Sequence, residues 1–149
     1  MELQKDIREF VELLLSENVE FLLVGGYAMA VHGAPRFTED IDFLIHLSSE
    51  NAERLLKVIQ KFGFGDLEIE KKDLLKPDFV IQLGMAPNRI DLLTSIDGLE
   101  WNETWESKIE FELDGLPLFV IGRDQLIQNK LASGRSQDIA DAERLQQGK

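Results

Sequence analysis

The sequence predicts an α/β (α+β) domain, with one mixed β-sheet and helices packed mainly on one face. Three observations lead there. Apolar residues recur at helical spacing near the N-terminus. Short apolar runs bounded by glycine or aspartate follow as strands, and the second half reads as strand pairs around turn signals.

Taken in order, Leu3, Ile7, Phe10, Val11 and Leu14 mark an amphipathic helix from Leu3 to Ser16, with Asn18 turning the chain. Val19 to Val24 reads as a buried strand that stops at Gly25-Gly26. Tyr27 to His32 is a short helix, ended by Gly33 and Ala34-Pro35. Ile41 to Ile45 is a second strand with aspartates at its entry. Ser48 or Ser49 caps a helix through Ala52, Leu55, Leu56 and Ile59, closed by Phe62-Gly63. The charged stretch from Gly65 to Pro77 yields no element. Phe79 to Leu83 and Arg89 to Ile96 read as a strand pair around Pro87-Asn88. Trp101 to Glu106 forms a helical turn. Lys108 to Leu113 and Leu116 to Ile121 flank Asp114-Gly115, a type I′ hairpin signal. Arg123 or Asp124 opens a helix with Leu126, Ile127, Lys130 and Leu131, and a last helix carries Ile139, Ala142 and Leu145.

Length and composition narrow the function classes. The 149 residues suit one domain over 1–149, without repeat, low-complexity tract or linker. No apolar run reaches the roughly 18 residues of a membrane span. The opening MELQKDIREF mixes charge with apolar residues, unlike a signal or transit peptide, so the expected location is cytoplasmic. The absence of cysteine excludes disulfides, thiolate catalysis and Cys-based zinc sites. His32 and His46 have no second ligand at zinc spacing. A net charge of −12 argues against a broad grip on nucleic acid and favours a small-molecule or protein acceptor, though acidity alone also serves solubility.

The chemistry gathers on aspartates. Asp40 and Asp42 flank Ile41, so on a strand both carboxylates leave one face while Ile41 and Phe43 enter the core. Paired carboxylates resist joint ionisation, and a divalent cation relieves the conflict. Oxygen ligands suit Mg²⁺, which takes one or two carboxylates plus phosphate oxygens. Asp91 is a lone acid in the apolar run Ile90-Asp91-Leu92-Leu93, costly unless paired, at a sheet end or on metal. If its strand lies beside the first, three acids converge and suit two metal ions. Taken singly, Asp40 also reads as a turn cap, Asp42 as a solvated edge residue and Asp91 as the partner of a nearby arginine. Gly25-Gly26, between strand and helix, let backbone N–H groups approach an anion, or simply make a tight turn.

The stretch Leu22-Leu23-Val24-Gly25-Gly26-Tyr27-Ala28-Met29-Ala30, then Arg36-Phe37-Thr38-Glu39-Asp40-Ile41-Asp42-Phe43-Leu44-Ile45, resembles the DNA polymerase β-like nucleotidyltransferase superfamily. Its pattern is hydrophobic-Gly-Gly/Ser, a short helix, Asp-hydrophobic-Asp/Glu-hydrophobic and a later third acid, here Asp91. Arg-x-Thr-x-Asp-x-Asp, with Leu126 to Lys130, Gly134-Arg135, Asp138 and Asp141, is similar to the small bacterial branch of abortive-infection and toxin–antitoxin nucleotidyltransferases. The resemblance implies a minimal nucleotidyltransferase fold. Gly25 and Gly26 would contact a nucleoside triphosphate. Asp40 and Asp42 would coordinate two Mg²⁺ (or Mn²⁺) ions, and Asp91 would hold the second and orient an acceptor hydroxyl. The nucleoside monophosphate would pass to that hydroxyl, on a small molecule, an RNA end or a protein. Some small relatives need a partner chain, so a protein partner is also implied.

Arg36, Thr38 and Lys130 are candidate nucleotide contacts, Arg36 toward the triphosphate or the acceptor, with Arg135 a similar case. Their bland readings are solvated charges for the basic residues and loop hydrogen bonds for Thr38. Trp101 and Trp105, four apart, share a helix face and serve either packing or stacking on a base. Asp138 and Asp141 read as ion-pair partners of Arg135 or Arg144. Two other classes compete with the enzyme: a non-catalytic nucleotidyltransferase-like module or toxin–antitoxin subunit, and a metal-dependent phosphoesterase on the same acids.

Overall fold

The computed structural model describes residues 2–64, 68–85 and 88–148. Its elements run α1 (Lys5–Ser16), β1 (Phe21–Val24), α2 (Gly25–Val31), β2 (Asp40–Ile45), α3 (Ser49–Ile59), β3 (Val80–Leu83), β4 (Arg89–Leu93), α4 (Trp101–Glu106), β5 (Ile109–Leu113), β6 (Leu116–Val120), α5 (Arg123–Ser133) and α6 (Ser136–Gln147). The six strands form one mixed sheet in the order β3-β4-β2-β1-β6-β5.

The core follows from alternation. Phe21, Leu23, Ile41 and Phe43 are buried, and the Phe21 and Phe43 rings meet edge to face at 5.4 Å. α1 sinks Ile7, Phe10, Val11 and Leu14, and Phe10 packs edge-on against Phe62. The Ser48 side chain accepts the Asn51 N–H as the N-cap of α3. The hairpin between β5 and β6 has the φ pair of a type I′ turn, +50° at Asp114 and +79° at Gly115.

Several expectations shift, and α1 and β1 start at Lys5 and Phe21 rather than Leu3 and Val19. Helix α2 starts at Gly25 rather than Tyr27, because Gly25 takes φ +68° and turns the chain at once. Strand β4 ends at Leu93 rather than Ile96: the Thr94 N–H makes one more backbone bond to Phe79, and the Thr94 and Ser95 side chains then bond Phe79 and Asp78. In the charged stretch, Lys71–Leu75 forms a 3₁₀ turn held by reciprocal Glu70 and Asp73 caps, with Leu74 buried. Gly65 to Leu67 and Pro87 of the predicted turn lie outside the described residues.

Candidate active site

Strand β2 lies between β1 and β4, and register does the rest. Asp42 is opposite Asp91 across the parallel β2–β4 pair, and Asp40 is opposite Arg89. Alternation keeps Asp40 and Asp42 on one face of β2, and Arg89 and Asp91 on the same face of β4. The three acids therefore converge, with one carboxylate oxygen from each within 4.8 Å of the others. They line a cleft of about 820 Å³ that Gly25, Gly26, Arg36, Thr38 and Lys130 also line. All the predicted site residues are thus brought to one cleft.

Each neighbour has a physical reason to be there. A Cβ on Gly25 would collide with the Asp42 carboxylate, and the φ of +68° disfavours a side chain as well. The first turn of α2 can approach the acids only as glycine. A Cβ on Gly26 would sit 3.0 Å from Thr38 Cβ. The Thr38 Oγ1 lies 2.9 Å from the Asp40 carbonyl and 3.0 Å from its Oδ1, so it ties the loop before β2 to the first acid.

The electrostatics differ from acid to acid. Burial, then the charges of Asp40 and Asp91, push the Asp42 carboxyl up to about 7. Burial also raises Asp91, against the hydrogen bonds from Arg89. Burial works the same way on Asp40, but the hydrogen bonds shared with Asp91, Thr38 and Arg89 outweigh it and leave Asp40 below the usual carboxylate range. The arginine that the sequence allows as a nearby partner of Asp91 is Arg89, at the start of the same strand. Its guanidinium donates from Nε to Asp91 Oδ1 at 2.9 Å and from Nη2 to Asp40 Oδ2 at 3.1 Å. Its position two residues before Asp91 was the signal, since residues i and i+2 share a strand face.

Opposite the acids, α5 and α6 bring a second group of charges. Lys130 is buried rather than solvated, with Nζ 3.1 Å from Asp141 and 3.5 Å from Asp138. Arg36 Nε donates to Asp141 at 3.2 Å, and Arg135 Nε donates to Asp138 at 2.7 Å. The Asp138–Arg135 pair was expected. Asp141 instead pairs with Arg36 and Lys130, because Arg144 donates to the Pro35 carbonyl. Ser133 adds a 2.6 Å bond to Asp138. Helix α5 is fastened at the cleft by Asn129 and Gln128, which donate to the carbonyls of Asp97 and Gly98.

The aromatic pair lies elsewhere and packs. Trp101 is stacked between His46 at 4.7 Å and Trp105 at 5.1 Å, and Trp105 carries Lys108 Nζ 4.1 Å from its ring centre. His46 bonds Glu20 and His32 bonds the Ile121 carbonyl.

A mixed sheet whose central strands set three aspartates beside a Gly-Gly helix start defines the nucleotidyltransferase class of fold. The model of the family described as "Nucleotidyl transferase AbiEii toxin, Type IV TA system" matches residues 13–117. The chain belongs to this AbiEii family. No curated protein matches it in sequence. Among solved structures, it is similar to a proposed nucleotidyltransferase, TM1012, of Thermotoga maritima, with TM-score 0.63, 16% identity, and 96% of this chain and 91% of that one covered. It is similar to the lincosamide antibiotic adenylyltransferase LnuA, solved with lincomycin, with TM-score 0.60, 16% identity and 100% of both chains covered. A nucleotidyltransferase-like antigenic protein of Paracoccidioides brasiliensis gives TM-score 0.57 and 17% identity over 97% of this chain and 78% of that one. At these identities the likeness is one of fold. No described helix is long and apolar enough to cross a membrane.

Proposed function

We propose that the chain is a divalent-metal-dependent nucleotidyltransferase that moves a nucleoside monophosphate from a nucleoside triphosphate to an acceptor hydroxyl. One observation carries the reading: three carboxylates converge within 4.8 Å on the wall of the large cleft, and among the described residues no ion pair reaches Asp42. An all-oxygen donor set of this kind fits Mg²⁺ or Mn²⁺. Asp40, Asp42 and Asp91 would hold it, and when bound it supplies neutralisation of charge on the attacking and leaving oxygens.

The chain's own residues do the positioning. Gly25 and Gly26 keep the α2 start open to the triphosphate, and Thr38 fixes the loop over Asp40. Arg36, Lys130 and Arg135 bring positive charge to the cleft wall. Asp91 orients the acceptor hydroxyl and accepts its proton. The acceptor oxygen forms a bond to the α-phosphorus as the bond to pyrophosphate breaks, and pyrophosphate leaves with that electron pair. The acceptor class spans small molecules, RNA ends and proteins, the lincosamide bound to LnuA being an example of the first. Membership of a toxin family of a type IV system is the observation behind a proposed protein partner, and a cytoplasmic setting is part of the same proposal.

A second reading, a non-catalytic module, draws on the Arg89 bridge, which compensates two acids without metal. An assay of labelled α-phosphate transfer from each triphosphate separates the two. Transfer by the wild type, lost in Asp91→Asn while triphosphate binding persists, supports the enzyme. Transfer that is unchanged in Asp91→Asn contradicts the role given to Asp91.

A further inference from the structure

The register that sets Asp42 beside Asp91 also sets Arg89 beside Asp40. The Arg89 guanidinium spans both acids: Nε and Nη2 donate to the two oxygens of Asp91 at 2.9 and 3.1 Å, and Nη2 also donates to Asp40 at 3.1 Å. Among the described residues no ion pair reaches Asp42. The other cations of the cleft are held by other acids, Lys130 and Arg36 by Asp141, and Arg135 by Asp138. Arg89 is therefore the one described cation bonded to the triad. Its charge does not titrate in a protein, and its donors take the same carboxylate oxygens a metal ion would take.

We propose that Arg89 is a positioning residue that acts as the resident cation of the triad. It holds Asp40 and Asp91 in register while no nucleotide is bound, and it leaves their oxygens when a divalent ion takes them. The inference rests on the metal-dependent reading above. Its consequence is an order of binding. A bare ion gains two of its acids only by displacing a bidentate guanidinium, so it binds weakly. An ion that arrives with a triphosphate brings further oxygen ligands and completes the exchange. Arg89 is partly exposed on the cleft wall, its side chain 35% accessible, so it has room to turn away.

The test is Mn²⁺ binding without nucleotide, read by the electron paramagnetic resonance signal of the free ion, at about pH 8 so that carboxylates are ionised. The proteins are wild type, Arg89→Gln, Arg89→Lys and the Asp40→Asn/Asp42→Asn double variant, each checked for folding by thermal melting. Arg89→Gln should bind Mn²⁺ about tenfold more tightly than wild type, the scale of one lost competing ion pair. Arg89→Lys should fall between, because a single ammonium cannot span both acids, and it carries the comparison if Arg89→Gln does not fold. The double variant should lose binding. Arg89 variants that bind no more tightly than wild type, with binding still lost in the double variant, overturn the inference and leave the metal reading standing. No Mn²⁺ binding by any of them, with or without triphosphate, ends both.

Discussion

Asp138 and Asp141 expose less surface than Asp42, yet each forms an ion pair at close range, while among the described residues no ion pair reaches Asp42, whose burial and carboxylate neighbours dominate. In the α5–α6 group, Lys130, Arg36 and Arg135 answer two acids, and Asp138 is drawn below its usual range, its bonds from Ser133 and Arg135 outweighing burial. In the β2–β4 group one arginine answers two of three acids, and the third, Asp42, is pushed up to about 7. A cluster whose cations outnumber its buried acids fixes two helices to each other. One whose acids outnumber its cations stores an affinity for a cation. Residues of both groups line one cleft, and the contrast between them is open to attack at several points.

The largest effect falls on chemistry. Asp42→Asn should lower nucleotide transfer by about 10²–10³-fold, the scale of losing a charge-stabilising group, without lowering the stability of the metal-free protein. Lys130→Met should do the opposite to the fold: it strands Asp141 and Asp138 without their buried cation and should cost about 3–5 kcal/mol in urea unfolding. Equal stability losses at the two positions would erase the contrast.

Protonation gives the next effect. The folded value of Asp42, about 7, lies above its unfolded value near 4, so the folded state keeps a proton that the unfolded state gives up. Metal-free stability should therefore be greatest, from this group, below about pH 4 and fall as pH rises to about 7, by up to about 4 kcal/mol. Asp40, shifted the other way, opposes this at the acid end. The comparison is wild type minus Asp42→Asn, in chelator, by urea midpoint against pH. A pH-independent difference would show that Asp42 is not strained by its neighbours. Saturating Mg²⁺ should flatten the slope, since it favours the ionised carboxyl.

Backbone effects are smaller. Gly25→Ala should destabilise by about 1–3 kcal/mol through its positive φ, and should weaken triphosphate binding because the new methyl pushes Asp42 aside. Ser48→Ala, remote from the cleft, should cost about 1 kcal/mol through the lost α3 cap and leave binding untouched.

How much of this could be read from sequence depends on whether the signal is local. Period-2 alternation put Asp40 and Asp42 on one face, and the lone acid in Ile90-Asp91-Leu92 announced itself by its cost. The Asp114-Gly115 turn and the Ser48 cap are local and were legible in the same way. Register is a long-range property. Nothing near Arg89 in the chain states that it will face Asp40, since that follows from how β2 pairs with β4. The burial of Lys130 was hidden for the same reason. Helix α5 buries few apolar residues, so its inner face is set by Asp138 and Asp141 arriving on α6. The collision that keeps Gly25 a glycine involves a residue seventeen positions away, and only the fold reveals it.

The account stands on Asp40 and Asp42 holding a metal–nucleotide complex. Calorimetric titration of each nucleoside triphosphate, with and without Mg²⁺, into wild type and the Asp40→Asn/Asp42→Asn variant tests it most directly. The account predicts Mg²⁺-dependent binding of at least one triphosphate to wild type and its loss in the variant. Binding that ignores Mg²⁺ or survives both substitutions, or a folded wild type that binds none of the four, would contradict it.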